Sequence, residues 1–195
     1  MINHHLKEPS QHSCGVIVAV DVDNLIISAA GAGQKIKGYS LMAGFENMFA
    51  WISQAVGQIL CVHFFMPQTQ CLVNEDIWNE LWQKYKSQFF IGMVFCPKVR
   101  DFEGRKKDNV DAQLIEHTKK MMELFGQRVK CLVLGSGDCD YSRFVWDLGR
   151  EGIKTAFIIG GEMSFAKLYR STEAVAKNSE TGKELVHCFV PQKNN

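Results

Sequence analysis

The chain has 195 residues, 46% hydrophobic and 22% charged, with a formal net charge of +1. That length carries one substantial core without demanding a second domain, and so small a net charge excludes the global basic field of many nucleic-acid binders, leaving any polyanion to a local patch. No apolar run reaches the roughly 20 residues of a membrane helix, Met1 to Ser13 has no signal-peptide core, and none of the seven cysteines is spaced Cys-x-x-Cys, which argues against a zinc site or thioredoxin-type motif and suits a reducing, cytoplasmic compartment.

In chain order, residues 1–14 are an expected flexible tail, 15–190 a single domain and 191–195 a C-terminal tail. Gly15 to Val20 is a continuous β-branched run, the pattern of a strand buried on both faces, and it ends in Asp21-Val22-Asp23-Asn24. Ala29 to Gly38 is small and glycine-rich, a predicted loop without the ending of a phosphate-binding P-loop or the spacing of a dinucleotide fingerprint. Leu41 to Val56 spaces Phe45, Met48, Phe49 and Ile52 as an amphipathic helix. Ile59 to Met66 reads as a second buried strand, closed by Pro67. Asn74 to Lys86, with Asn74 as its cap, puts Ile77, Trp78, Leu81, Trp82 and Tyr85 on one helical face, a core stripe. Phe89 to Cys96 is a third strand, ended by Pro97.

Lys98 to Lys107 is the densest basic segment: Lys98, Arg100, Arg105, Lys106 and Lys107 face only Asp101 and Glu103. It is predicted as a loop that can grip a phosphate backbone, although a charge run of this kind also serves as a plain solvated surface. Asn109 to Phe125 is the next helix, with Val110, Leu114, Met121 and Phe125 as its buried stripe. Its first turn holds Asp111, which the helix dipole favours whatever its function. Val129 to Leu134 is a strand that stops at Gly135-Ser136-Gly137, and Asp138 and Asp140 follow. Tyr141 to Gly149 then has helical spacing. Thr155 to Ile159 is a fifth strand, Ser164 to Arg170 a short helix, and Leu185 to Val190 a final edge strand. Strands alternate with helices, which predicts a three-layer α/β/α fold around a mainly parallel sheet.

The acids fall at telling places. Asp21 ends the first strand, and Asp138 and Asp140 follow a later one. Ligands of open α/β sheets bind outside the carboxyl ends of strands. Right-handed crossovers bring such ends to one edge of the sheet, and a helix entering above adds Asp111. Carboxylates crowded in this way repel unless a cation neutralises them, and hard Mg²⁺ or Mn²⁺ suits oxygen ligands. Such a cluster supports phosphodiester cleavage by metal-activated water, with no side-chain nucleophile. The alternative stays open that Asp140 is only a helix cap and Asp138 only a turn residue.

Three motifs carry a resemblance: Asp21-x-x-Asn24 after a strand, Lys107-x-x-Val110-Asp111 opening a helix, and Ser136-Gly137-Asp138-x-Asp140-Tyr141 after a later strand. Together they resemble the NYN domain family, the LabA-like members of the PIN-domain nuclease superfamily. The resemblance spans Gly15 to Gly160 and implies a PIN-like fold with divalent-metal-dependent ribonuclease chemistry, or RNA binding in members that have lost activity. By position it implies Asp21, Asp111, Asp138 and Asp140 as metal-site acids, Asn24 as a residue orienting the first loop or a substrate phosphate, and Ser136 as a support for the acidic turn. The chain departs from the family in three ways. His117, with Glu116 beside it, stands where many relatives carry another Asp; two residues rather than one separate Lys107 from Val110; and Cys139 and Tyr141 replace the commoner Ser and Phe.

The expected partner is therefore RNA, single-stranded by preference, with a membrane excluded and oligomerisation left open. Two competing readings remain. Asp21-Val22-Asp23-Asn24-Leu25 resembles the first motif of haloacid dehalogenase-like phosphatases, in which Asp21 would be the nucleophile and Asp23 the general acid, but the match fades after residue 25. The other is an RNA-binding or scaffolding domain with a vestigial acidic site.

Overall fold

A computed structural model describes residues 15–30, 39–67, 75–100, 104, 106–161, 169, 173–190 and 192–193. Ten strands and five α-helices are described. They are β1 (Gly15–Asp21), α1 (Val22–Ala30), β2 (Tyr39–Ser40), α2 (Leu41–Trp51), β3 (Gln58–Pro67), α3 (Glu75–Tyr85), β4 (Phe90–Cys96), β5 (Lys98–Arg100), β6 (Lys106–Asp108), α4 (Val110–Phe125), β7 (Val129–Gly135), α5 (Ser142–Arg150), β8 (Lys154–Ile159), β9 (Val186–Cys188) and β10 (Gln192–Lys193).

Six strands form one sheet in the order β4-β3-β1-β7-β8-β9, and every neighbouring pair is parallel. Helices cover both faces, which gives three layers. On one face the core gathers Phe45, Met48 and Phe49 of α2 with Trp78, Leu81 and Tyr85 of α3. On the other it gathers Val110 and Leu114 of α4 with Phe144, Val145 and Leu148 of α5. This explains the unbroken apolar strands: all seven residues of β1 are buried because both of its faces meet helices.

The connectivity locates the site. The chain steps from β1 outward to β3 and β4, then returns past β1 and runs the other way through β7, β8 and β9. The strand order thus reverses between β1 and β7, the switch point at which doubly wound sheets open a crevice. Gly135 makes that approach close. A Cβ there would lie 3.0 Å from Val20 Cγ1.

Several expectations change. Ala29 and Ala30, expected in the glycine-rich loop, instead end α1, which starts at Val22 because Asp21 accepts a hydrogen bond from the Asn24 backbone N–H at 3.1 Å and so caps a helix that buries Val22, Leu25 and Ile26. The basic segment is not simply a loop. Lys98–Arg100 pairs antiparallel with Lys106–Asp108, and Gly104 between them adopts φ +76°, a left-handed value that glycine takes at no steric cost. Gln192–Lys193, expected as tail, pairs antiparallel with Tyr39–Ser40. The Asn74 cap, most of the loop at 29–38 and the helix at 164–170 apart from Tyr169 lie outside the described residues. Among the described residues no helix is long and apolar enough to cross a membrane.

Candidate functional site

Asp21 is the last residue of β1 and is 6% exposed. Its neighbour across the crevice is Tyr141, in the 3₁₀ turn Cys139–Tyr141 that follows β7. The Tyr141 hydroxyl lies 2.9 Å from Asp21 Oδ2 and 2.7 Å from Asp111 Oδ1, in the first turn of α4. Segments remote in sequence therefore converge on one phenol. The phenol has a single proton and two carboxylate oxygens to satisfy. One oxygen goes short unless a carboxyl group is itself protonated or a cation stands nearby. Burial, opposed by the bonds from Asn24 and Tyr141 and reinforced by the Asp111 charge, pushes Asp21 up to about 6. Burial and the Asp21 and Asp111 charges drive the Tyr141 phenol far above its ordinary value, so it remains a donor.

Asp138 belongs to the second half of the site. It caps the 3₁₀ turn, its Oδ1 accepting from the Asp140 N–H at 3.1 Å. The Ser136 Oγ, fully buried, accepts from the Asp138 N–H at 3.2 Å. Tyr169, buried, donates its hydroxyl to the Asp138 carbonyl. Asn24 links the halves: its backbone N–H goes to Asp21, and its side-chain amide reaches Asp138 Oδ2 at 3.4 Å.

The four acids expected from sequence do not form one tight knot. Among the described residues, Asp138, Cys139 and Asp140 are a group whose possible ligand atoms lie within 4.8 Å of one another, and Asp140 is exposed. Asp21 and Asp111 form the other pair, with Tyr141 between them. Nothing in the residue pattern marks Cys139 as a member of this group. Its thiol is held above its ordinary value by desolvation and by the Asp138 and Asp140 charges, so it is protonated at neutral pH. Sequence reasoning also misses the roles of Tyr141 and Tyr169. Tyr141 lies inside one of the three motifs, but its hydroxyl has no visible partner in sequence. Tyr169 is remote, and nothing near it in the chain marks it.

The remaining sequence candidates lie elsewhere. Lys98 and Arg100 are exposed on β5, which follows β4 directly in the chain. Lys106 and Lys107 sit on β6 opposite Arg100 and Val99, and Arg105 falls outside the described residues. His117 does not join the acids: it packs against His63 of β3, with ring centroids 4.5 Å apart.

No protein-family model matches the chain, and no curated protein matches it. Among solved structures it is similar to a protein of unknown function from Vibrio parahaemolyticus RIMD 2210633, with TM-score 0.56 and 16% identity over 83% of this chain and 90% of that one. At that identity the likeness is one of fold.

Proposed function

We propose that the chain is a divalent-metal-dependent ribonuclease whose site lies at the β1–β7 switch point. The observation that carries this reading is the shared phenol. Two carboxylates from segments far apart in sequence meet over one hydroxyl proton, and Asn24 ties a third, Asp138, to the same crevice. The donors there are oxygens with a deficit of positive charge, the set that Mg²⁺ or Mn²⁺ fits. Asp138 and Asp140 would hold an ion on the open side, and Asp21 and Asp111 would be the second, more buried pair of oxygens beside it. A bound ion of this class lowers the pKa of its water and offsets charge on the leaving oxygen. The residues of the chain do the rest. Ser136 and Tyr169 fix the backbone of the acidic turn, so that Asp138 is presented in one orientation. Asn24 holds the two halves in register. Lys98, Arg100 and the facing strand of the hairpin supply the local positive charge that a phosphate backbone needs on a chain of net charge +1.

A second reading has its own support. If Asp21 carries a proton, the Asp21–Tyr141–Asp111 chain is satisfied without an ion, as a vestigial site in an RNA-binding domain would be. The phosphatase reading has less: both Asp21 oxygens are engaged, one by Asn24 and one by Tyr141, and the side chain is buried. Titration with Mn²⁺ separates the first two readings, and cleavage of a single-stranded RNA oligomer against a small phosphomonoester tests the third. The ribonuclease reading expects Mn²⁺ binding and RNA cleavage, both lost in Asp138→Asn. Equal cleavage by variant and wild type would overturn it.

A further inference from the structure

His63 and His117 meet on the α4 side of the sheet, away from the acids. His63 lies mid-way along β3, 4% exposed, on the strand face shared with Cys61 and Phe65. His117 comes from α4 and is half-buried. Their centroids are 4.5 Å apart and their planes cross at 63°. Aromatic carbon surrounds them: the Phe90 ring lies 5.4 Å from that of His63, and the Phe65 ring 5.7 Å from that of His117. The His117 Nε2 is buried in this wall and has no hydrogen-bond partner. An orphaned polar atom of this kind is a cost to the fold unless a partner is supplied.

Gly92 makes the arrangement possible. It is the β4 residue in register with His63, and a Cβ there would lie 2.9 Å from His63 Cδ2 and 3.1 Å from its Nε2. The missing side chain lets the imidazole lie over the edge strand, where Phe90 is 62% exposed. His117, only half-buried on α4, is the member of the pair that meets solvent. Burial, helped by the neighbouring ring, lowers His63 to about 4, and burial also lowers His117, so both rings keep a lone pair at neutral pH. Lys120 of α4, whose charge also acts on His117, is paired with Glu116 at 2.7 Å.

We propose that His63 and His117 are the two protein ligands of a site for a borderline divalent transition ion of the zinc class, completed by water. Imidazole nitrogen selects zinc, copper and nickel over Mg²⁺, and such an ion would satisfy the orphaned nitrogen and clamp α4 to β3. The site stands independently of the ribonuclease reading. The test is calorimetric titration of the full chain with Zn²⁺, in excess Mg²⁺ to occupy oxygen sites, with Co²⁺ absorption as a second readout. Wild type and Asp138→Asn are expected to bind one Zn²⁺ alike. His117→Gln, at a half-buried position, is expected to lose at least roughly 10-fold in affinity while keeping the wild-type melting profile in chelator, and Gly92→Ala to weaken binding by displacing the His63 ring. Wild-type binding unchanged in His117→Gln, or no Zn²⁺ binding that survives Asp138→Asn, would overturn the proposal.

Discussion

The two halves of the acidic site are built on opposite principles. Asp21 is buried and Asp111 half-buried, and the two share the Tyr141 phenol as a polar partner. Asp138 and Asp140 sit on a turn held from behind by Ser136 and Tyr169 and open in front. In the buried half, charge is costly, and the carboxyl of Asp21 rises to about 6. In the open half, water screens the charges and the geometry of the turn is set by backbone hydrogen bonds. The same residue type therefore carries at Asp21 a desolvation cost that an exposed position such as Asp140 does not impose. The proposed ribonuclease chemistry would use both: a fixed floor and an accessible rim.

The contrast predicts its largest effect at the rim. Asp138→Asn is expected to lower Mn²⁺-dependent RNA cleavage by about 10²-fold or more. Its amide oxygen can still accept from the Asp140 N–H, so thermal unfolding should stay within about 0.5 kcal/mol of wild type. A large loss of stability instead would show that the open half is structural.

The floor should respond in the reverse sense. Tyr141→Phe leaves buried Asp21 and half-buried Asp111 without their shared donor, and about 1–3 kcal/mol of stability should be lost in chelator. Added Mn²⁺ should restore part of it in a thermal melt. Asp21→Asn should abolish cleavage yet stabilise the metal-free protein above pH 6, since it removes a charge that burial opposes.

Acid titration separates the floor from the histidine pair behind it. Asp21 has a folded pKa raised to about 6, so the folded state holds the extra proton and stability rises as pH falls from about 6 toward the ordinary carboxylate value. His63 has a folded pKa lowered to about 4, so the unfolded state takes the proton first and stability falls as pH drops from the ordinary histidine value toward 4. The two slopes oppose each other over much the same window, each at most about 1.4 kcal/mol per pH unit. Metal-free wild type should therefore show a shallow profile. Asp21→Asn should steepen the acid loss, and His63→Gln should reverse it, as denaturant midpoints at successive pH values will register.

The smallest effect is expected at the hairpin, outside both halves. Replacing Lys98 and Arg100 with Gln should lower RNA affinity and reduce the salt slope by roughly 0.7 for each phosphate left without its cation. An unchanged slope would remove the hairpin from the binding surface.

Much of the frame is legible in the residues. Continuous runs such as Gly15 to Val20 and Val129 to Leu134 announce doubly buried strands because apolar residues on both strand faces have no other stable place. Carboxylates directly after such runs announce a sheet edge. The helix at 22–30 is hidden because its opening residues, Asp23 and Asn24, are those of a turn, and only the cap from Asp21 and the core beneath Leu25 turn them into a first helical turn. The hairpin is hidden because its pairing is local but its charges dominate the pattern.

Sequence alone thus determined the layers, the strand ends and the acids placed on them, since hydrophobic period and burial are properties of short segments. Tertiary structure alone decided the partnerships: that Tyr141 would stand between Asp21 and Asp111, that Asn24 would reach Asp138, and that His117 would turn to His63 rather than to the acids. The Tyr141 bonds alone join residues 30 and 120 positions apart. Such partnerships are set by the order in which parallel strands lie side by side, which no local pattern encodes.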